Sequence, residues 1–266
     1  MILARILAQL KQQHWIGAVM ELVIVVVGVF IGIQASNWNQ AREDAQKGRQ
    51  FAGRLLRDLR RDLDGREQMI AYYREVSASA EKTVALLDGA APDPRALVVN
   101  AYRATEMNYY TTIRATWDEL VSSGEVGILP SSIDLGDISM FFNFDVSLDT
   151  KSAIERSPYR QRIRRLMPHA AQKAIRAGCS DVTDDINNVI AFKPDCTLDL
   201  SDAAIAAAAA ALLHDPDLLP DLRLQFSTVE GAVNNIGGDV VMLKRAIASF
   251  DADARQLADS GDGKNK

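Results

Sequence analysis

Several groups of residues have types and spacings suited to chemistry. Asp58 and Asp62 lie four apart in RLLRDLRRDLDG, which puts two carboxylates on one helix face, able to hold a cation or to divide acid and base roles. Arg54, Arg61 and Arg66 fall three or four residues from them, so a solvated face of weak ion pairs is expected instead. Asp181, Thr183, Asp185 and Asn187 alternate like the oxygen ligands of a calcium loop. The stretch lacks that motif's glycine and closing glutamate, and an acidic surface loop is expected. Trp117, Glu119, Ser122, Ser123 and Gly124 could form a site, but Trp117 and Leu120 more simply pack inward while Gly124 ends a helix in the left-handed conformation. Met140, Phe141, Phe142 and Phe144 read as core. His14, His169 and His214 share no motif, and there is no zinc-protease helix, nucleophile elbow, phosphate loop or dinucleotide fingerprint. No catalytic residue, cofactor or metal is expected.

Glu21 is the sharpest single residue, because it interrupts an otherwise apolar or glycine run from Ile16 to Ile33. As a helix that run is about 27 Å long, just enough to cross a bilayer. A carboxylate inside a span is costly and faces protein, water or the interface. On a helical wheel Gly17, Glu21, Gly28 and Gly32 fall on one side, and Gly28-x-x-x-Gly32 is the spacing that lets two membrane helices approach closely. This stripe is the candidate membrane-helix interface; local hydration of Glu21 near the surface is the competing explanation. Gln34, Asn37, Trp38 and Asn39 suit the headgroup layer and form the candidate membrane-exit anchor. A cleaved signal peptide would explain the run as well, but its length and Ile33 at the cleavage position favour a retained anchor.

The chain has 266 residues with 30 basic and 35 acidic side chains, net charge -5, without a concentrated basic face, so nucleic acid is not an expected partner. Its 48% hydrophobic content carries only 6% aromatic residues, the palette of helix packing. Cys179 and Cys196 flank one loop and form the candidate disulfide, which would place that loop in an oxidising compartment; two unpaired core thiols are the alternative. Positive charges beside the span are nearly balanced: Arg5 and Lys11 precede it, while Arg42, Lys47 and Arg49 follow.

The elements that must position these residues are helical. Residues 1–15 read as an interfacial tail, 16–36 as the transmembrane helix, 37–258 as a helical bundle and 259–266 as a disordered polar tail. Phe51, Leu55, Leu59 and Leu63, then Ile70, Tyr73, Val76, Ala80, Val84 and Leu87, make one apolar stripe on a helix that continues out of the membrane and ends at GAAPDP. Further helices are expected over 95–108, 113–123 and 135–155, and a basic one over 158–178, kinked at Pro168. After an irregular segment between the cysteines come an alanine-rich helix opened by Ser201 and a long final helix over 218–257. The expected fold is all-α: an N-terminal transmembrane helix continuing into an extramembrane antiparallel helical bundle.

The segments ELVIVVVGVFIGIQASNWNQ, FAGRLLRDLRRDLDG and ATWDELVSSGEVGIL together resemble a family of bacterial membrane proteins defined only as a domain of unknown function, number six thousand and ninety. The matching positions are Glu21, Gln34, Asn37, Trp38 and Asn39, then Asp58 and Asp62, then Trp117, Glu119, Leu120, Ser123 and Gly124. The resemblance implies one anchor and a helical domain and carries no activity. The expected protein is therefore a single-pass module of the bacterial inner membrane with its main domain in the periplasm, non-catalytic, whose partners are the lipid bilayer and either a second copy or an envelope protein. A ligand-sensing domain coupled to the membrane helix is the alternative, and an anchored hydrolase a third.

Overall fold

The computed structural model describes residues 15–184 and 189–262. Its first helix, α1, runs unbroken over Trp15–Leu87, 73 residues and about 110 Å at 1.5 Å per residue. It is the one helix among the described residues that is long and apolar enough to cross a membrane, with mean hydropathy 2.2 in its most apolar window and none of that window buried. The chain is otherwise α2 (Pro94–Arg103), α3 (Ala115–Ser122), a 3-10 turn at Val126–Ile128, α4 (Leu135–Asn143), α5 (Val146–Glu155), α6 (Pro158–Leu166), α7 (His169–Gly178), a two-stranded antiparallel hairpin of β1 (Asp181–Thr183) and β2 (Val189–Phe192), α8 (Asp202–Leu213) and α9 (Leu218–Asp262). The fold is thus the expected membrane-type helix followed by helices that pack on its continuation.

Helix α9 lies antiparallel along α1, as the pairs Arg60–Asp251, Glu67–Lys244 and Ser77–Glu230 show by rising on one helix and falling on the other. Between the two helices, and against the shorter ones, three clusters of buried side chains follow one another along α1. Nearest the apolar segment are Phe51, Leu55 and Leu59 with Trp117, Phe142, Leu243 and Phe250. Met69, Tyr72, Tyr73 and Val76 with Val229 and Ile236 come next. Farthest out are Ala80, Leu97, Tyr102, Tyr159, Ile175 and Leu212.

Five of the short helices begin where a side chain can accept from an otherwise unmet backbone N–H. Asp93, Asp134, Asp145, Ser157 and Ser201 each cap the helix they precede, contacts typically worth about 1 kcal/mol each. These caps explain where the chain departs from the sequence expectations. The segment over 135–155 is two helices, because Phe144 is extended and Asp145 caps a new start. The basic helix breaks rather than kinks, because Met167 before Pro168 takes the extended conformation that proline imposes on its predecessor. The stretch between the cysteines holds the β1–β2 hairpin rather than an irregular loop, with Asp181 opposite Phe192 and Val182 opposite Ala191. Helix α9 runs past 257 to Asp262.

Helix α2 stops at Arg103, well short of 108. From there the chain runs extended along α1, and α1 supplies its partners. Tyr73 Oη donates to the Asn108 carbonyl at 2.7 Å, Asp62 Oδ1 accepts from the Ile113 N–H at 3.0 Å, and Arg66 Nη2 donates to Thr112 Oγ1 at 2.8 Å. Asp58 accepts from the Thr116 hydroxyl. Gly65 has no side chain because the Tyr110 ring lies where its Cβ would be, 2.3 Å away. This corrects the expectation of a solvated Asp–Arg face. Asp62 and Arg66 are both 0% exposed, and Arg66 Nε pairs with Asp239 Oδ2 across the α1–α9 seam at 2.9 Å.

Removing one member of a buried ion pair leaves the other charged and alone, at a cost of about 3–5 kcal/mol, whereas replacing both by apolar residues is often tolerated. Arg66→Met is expected to lower unfolding stability by that amount in a denaturant titration of the detergent-solubilised chain. Arg66→Met combined with Asp239→Leu is expected to recover most of the loss.

Candidate functional site

Of the residues singled out by sequence, those of the apolar segment and those around 117–124 lie away from the most unusual electrostatics, whereas Asp181 and Cys179 line the cleft that has it. In the apolar segment Glu21, Gly28 and Gly32 are all exposed, with nothing within 4 Å of where a Cβ on either glycine would sit. Gly17 lies in the backbone of α1, but its surroundings fall outside the described residues, as does His14. Trp38 is 65% exposed with the Arg42 guanidinium 4.7 Å over its ring, and Asn39 donates to Glu43 one turn on at 2.7 Å. Gln34 and Asn37 are exposed beside them.

Around residues 117–124 the packing reading holds. Trp117 stacks on Phe142 with ring centroids 5.4 Å apart, Leu120 is buried, and Gly124 has φ 71°, a left-handed conformation. Glu119 pairs with Arg54, and the Ser122 and Ser123 hydroxyls bond back to carbonyls of their own helix. Phe141 and Phe142 are core as expected, but Met140 and Phe144 are exposed, because α4 turns only one face to the bundle. His169 opens α7, and His214 Nδ1 lies 2.6 Å from the Ala210 carbonyl at the end of α8. Of the calcium-like alternation, Asp181 and Thr183 are in β1, while Asp185 and Asn187 lie outside the described residues. No cluster of three acidic, histidine or cysteine side chains suited to a metal occurs among the described residues.

Cys179 and Cys196 are joined in a disulfide that closes the hairpin onto the end of α7. Closing a loop of this size is worth about 3 kcal/mol. Against this staple lies a cleft of about 330 Å³ between α2, α7 and β1, lined by Tyr102, Arg103, Glu106, Arg176 and Asp181 among others. Several elements hold these groups in place. Arg176 Nε donates to the Tyr102 hydroxyl at 2.9 Å, and the Arg164 guanidinium lies 3.7 Å over the same ring. Arg164 Nη2 donates to Glu106 Oε1 at 2.8 Å and to Thr105 Oγ1 at 2.9 Å. The Tyr72 hydroxyl, from α1, donates to Asp181 Oδ1 at 3.0 Å. Arg103 covers the Phe192 ring at 4.9 Å and donates to the Lys193 carbonyl.

These contacts crowd like charges in a half-dry space. Burial raises the Glu106 carboxyl, with Asp181 adding to the rise while Arg160 and Arg176 oppose it. Burial likewise raises Asp181, against the pull of the Tyr72 hydroxyl and Arg103. Burial together with the neighbouring Arg176 charge lowers Arg164 to about 10. Arg103 Nε and Arg164 Nε and Nη1 are buried with no hydrogen-bond partner, and such unmet donors cost about 1–3 kcal/mol each.

No family model matches the chain, and neither a curated protein nor a solved structure does. Sequence reasoning missed the cleft because its charges come from distant positions. The one available signal was the acidic alternation at Asp181, which points to an oxygen-rich loop rather than to a cleft shared with arginines.

Asp62 is a further perturbed carboxyl. Burial pushes it up to about 6, with the Ile113 N–H and Arg66 opposing, and its Oδ2 is buried without a partner. A carboxyl raised on folding binds more protons folded than unfolded, so its contribution to stability is greatest below about pH 4 and is lost as pH rises through 6. The loss is on the order of 2–3 kcal/mol. Asp62→Asn should flatten the fall in unfolding free energy between those pH values, measured by denaturant titration at a series of pH.

Proposed function

We propose that the chain is a membrane-tethered, non-catalytic helical module of the bacterial inner membrane that binds a second copy of itself or an envelope partner. The observation that carries this reading is the fully exposed apolar segment of α1, which continues without a break into the central helix of the bundle. Exposed side chains from Leu22 to Ile33 in water would be a severe liability, and a bilayer removes it. The disulfide supports a periplasmic position for the bundle, since such bonds persist in oxidising compartments. The open face at Gly28 and Gly32 supports helix pairing within the membrane, with Glu21 satisfied across the pair. The motifs around Glu21, Trp38 and Trp117 support placing the chain with the bacterial family that it resembles.

Ligand sensing coupled to the membrane helix is the second reading. It is favoured by Tyr72 and Glu75 of α1, which hold the hairpin at Asp181 and at the Phe192 N–H. A displacement of the hairpin would act on the helix that enters the bilayer.

Single cysteines replacing Gly28 or Gly32 should crosslink between copies in native membranes more than cysteines at Val26 or Phe30. Equal yields at all four positions would remove the case for self-association through this face. A protease added outside the spheroplast membrane should reach the bundle; digestion only after the membrane is opened would reverse the orientation.

A further inference from the structure

The cleft beside the disulfide carries charges that cancel. Arg103 and Arg176 face it from one side of the ledger, Glu106 and Asp181 from the other. Its carboxylates already have donors in Arg164 and the Tyr72 hydroxyl. The arginine side is the one left short: Arg103 Nε finds no acceptor. Ile175 and Cys179 supply an apolar wall, and a space of about 330 Å³ is at the small end of ligand sites.

We propose that this cleft binds a small zwitterion of the α-amino-acid kind, with its carboxylate on Arg103 and Arg176 and its ammonium on Glu106 and Asp181. Charge matching selects this class. A dianion such as phosphate would meet the arginines but lie against two carboxylates, and a simple cation would meet the carboxylates but lie against Arg103 and Arg176. A molecule with opposite charges a few ångströms apart is matched at both ends, and like-charge contacts exclude the others. Burial raises both carboxyls, and an adjacent ammonium relieves that strain. The proposal goes beyond the tethering role and is independent of it, because none of these residues lies near the apolar segment. A failed crosslink at Gly28 leaves the cleft untouched, and an empty cleft leaves the anchor untouched.

The test uses the full chain in lipid nanodiscs, followed by thermal unfolding and then by titration calorimetry. The probes are the standard L-α-amino acids one at a time, with propionate and succinate as carboxylates lacking the amine, and ethylamine and putrescine as amines lacking the carboxylate. At least one amino acid is expected to raise the unfolding midpoint by several degrees while the four controls do not. Glu106→Gln keeps an acceptor for Arg164 and should weaken that amino acid's binding at least tenfold, as should Arg103→Gln; circular dichroism establishes that each variant is folded. If Arg103→Gln does not fold, Glu106→Gln alone decides. No shift with any amino acid, an equal shift with a control, or unchanged affinity in folded Glu106→Gln would overturn the proposal.

Discussion

The seam between α1 and α9 is the constraint on which the helical bundle depends. A guanidinium is stable out of water only with its charge countered and its N–H groups met. Arg66 achieves this with Asp239 from the facing helix and Thr112 from the extended segment between them. One side chain therefore fixes three pieces of chain at once. The Arg66–Asp239 contact sets the register of the two long helices, and the neighbouring Asp62 and Tyr73 contacts set where the extended segment lies. The shorter helices occupy what space remains on either side.

Much of this frame was legible in the residues. The stripes that begin with Phe51, Leu55 and Leu59 on α1 and run through Leu222, Val229, Ile236, Leu243 and Phe250 on α9 are buried in the structure. Their spacing of three and four is a local property, and local properties are what a sequence displays. The same spacing also carried the buried polar residues. Leu55, Leu59, Asp62, Arg66, Met69, Tyr73 and Val76 form one continuous core row, so Asp62 and Arg66 occupy core positions in phase with their apolar neighbours. Asp239 stands likewise between Ile236 and Leu243. A polar residue in phase with an apolar stripe signals a distant partner, and that signal outweighs the proximity of oppositely charged residues on the same helix.

The cleft was not legible for a different reason. Arg103 and Glu106 follow from the end of α2, Arg176 from α7 and Asp181 from β1, and their meeting depends on the disulfide that folds the hairpin back over α7. No spacing within any one of these segments encodes it. The break at Pro168 contributes too, since it lets α7 leave the line of α6 and approach Tyr102.

The bare part of α1 has a geometric consequence. From Ile33 at the end of the apolar run to Gly48, the first buried position after it, the helix runs almost without tertiary support, a length of about 22 Å. It acts as a mast that holds the bundle about that distance from the apolar segment.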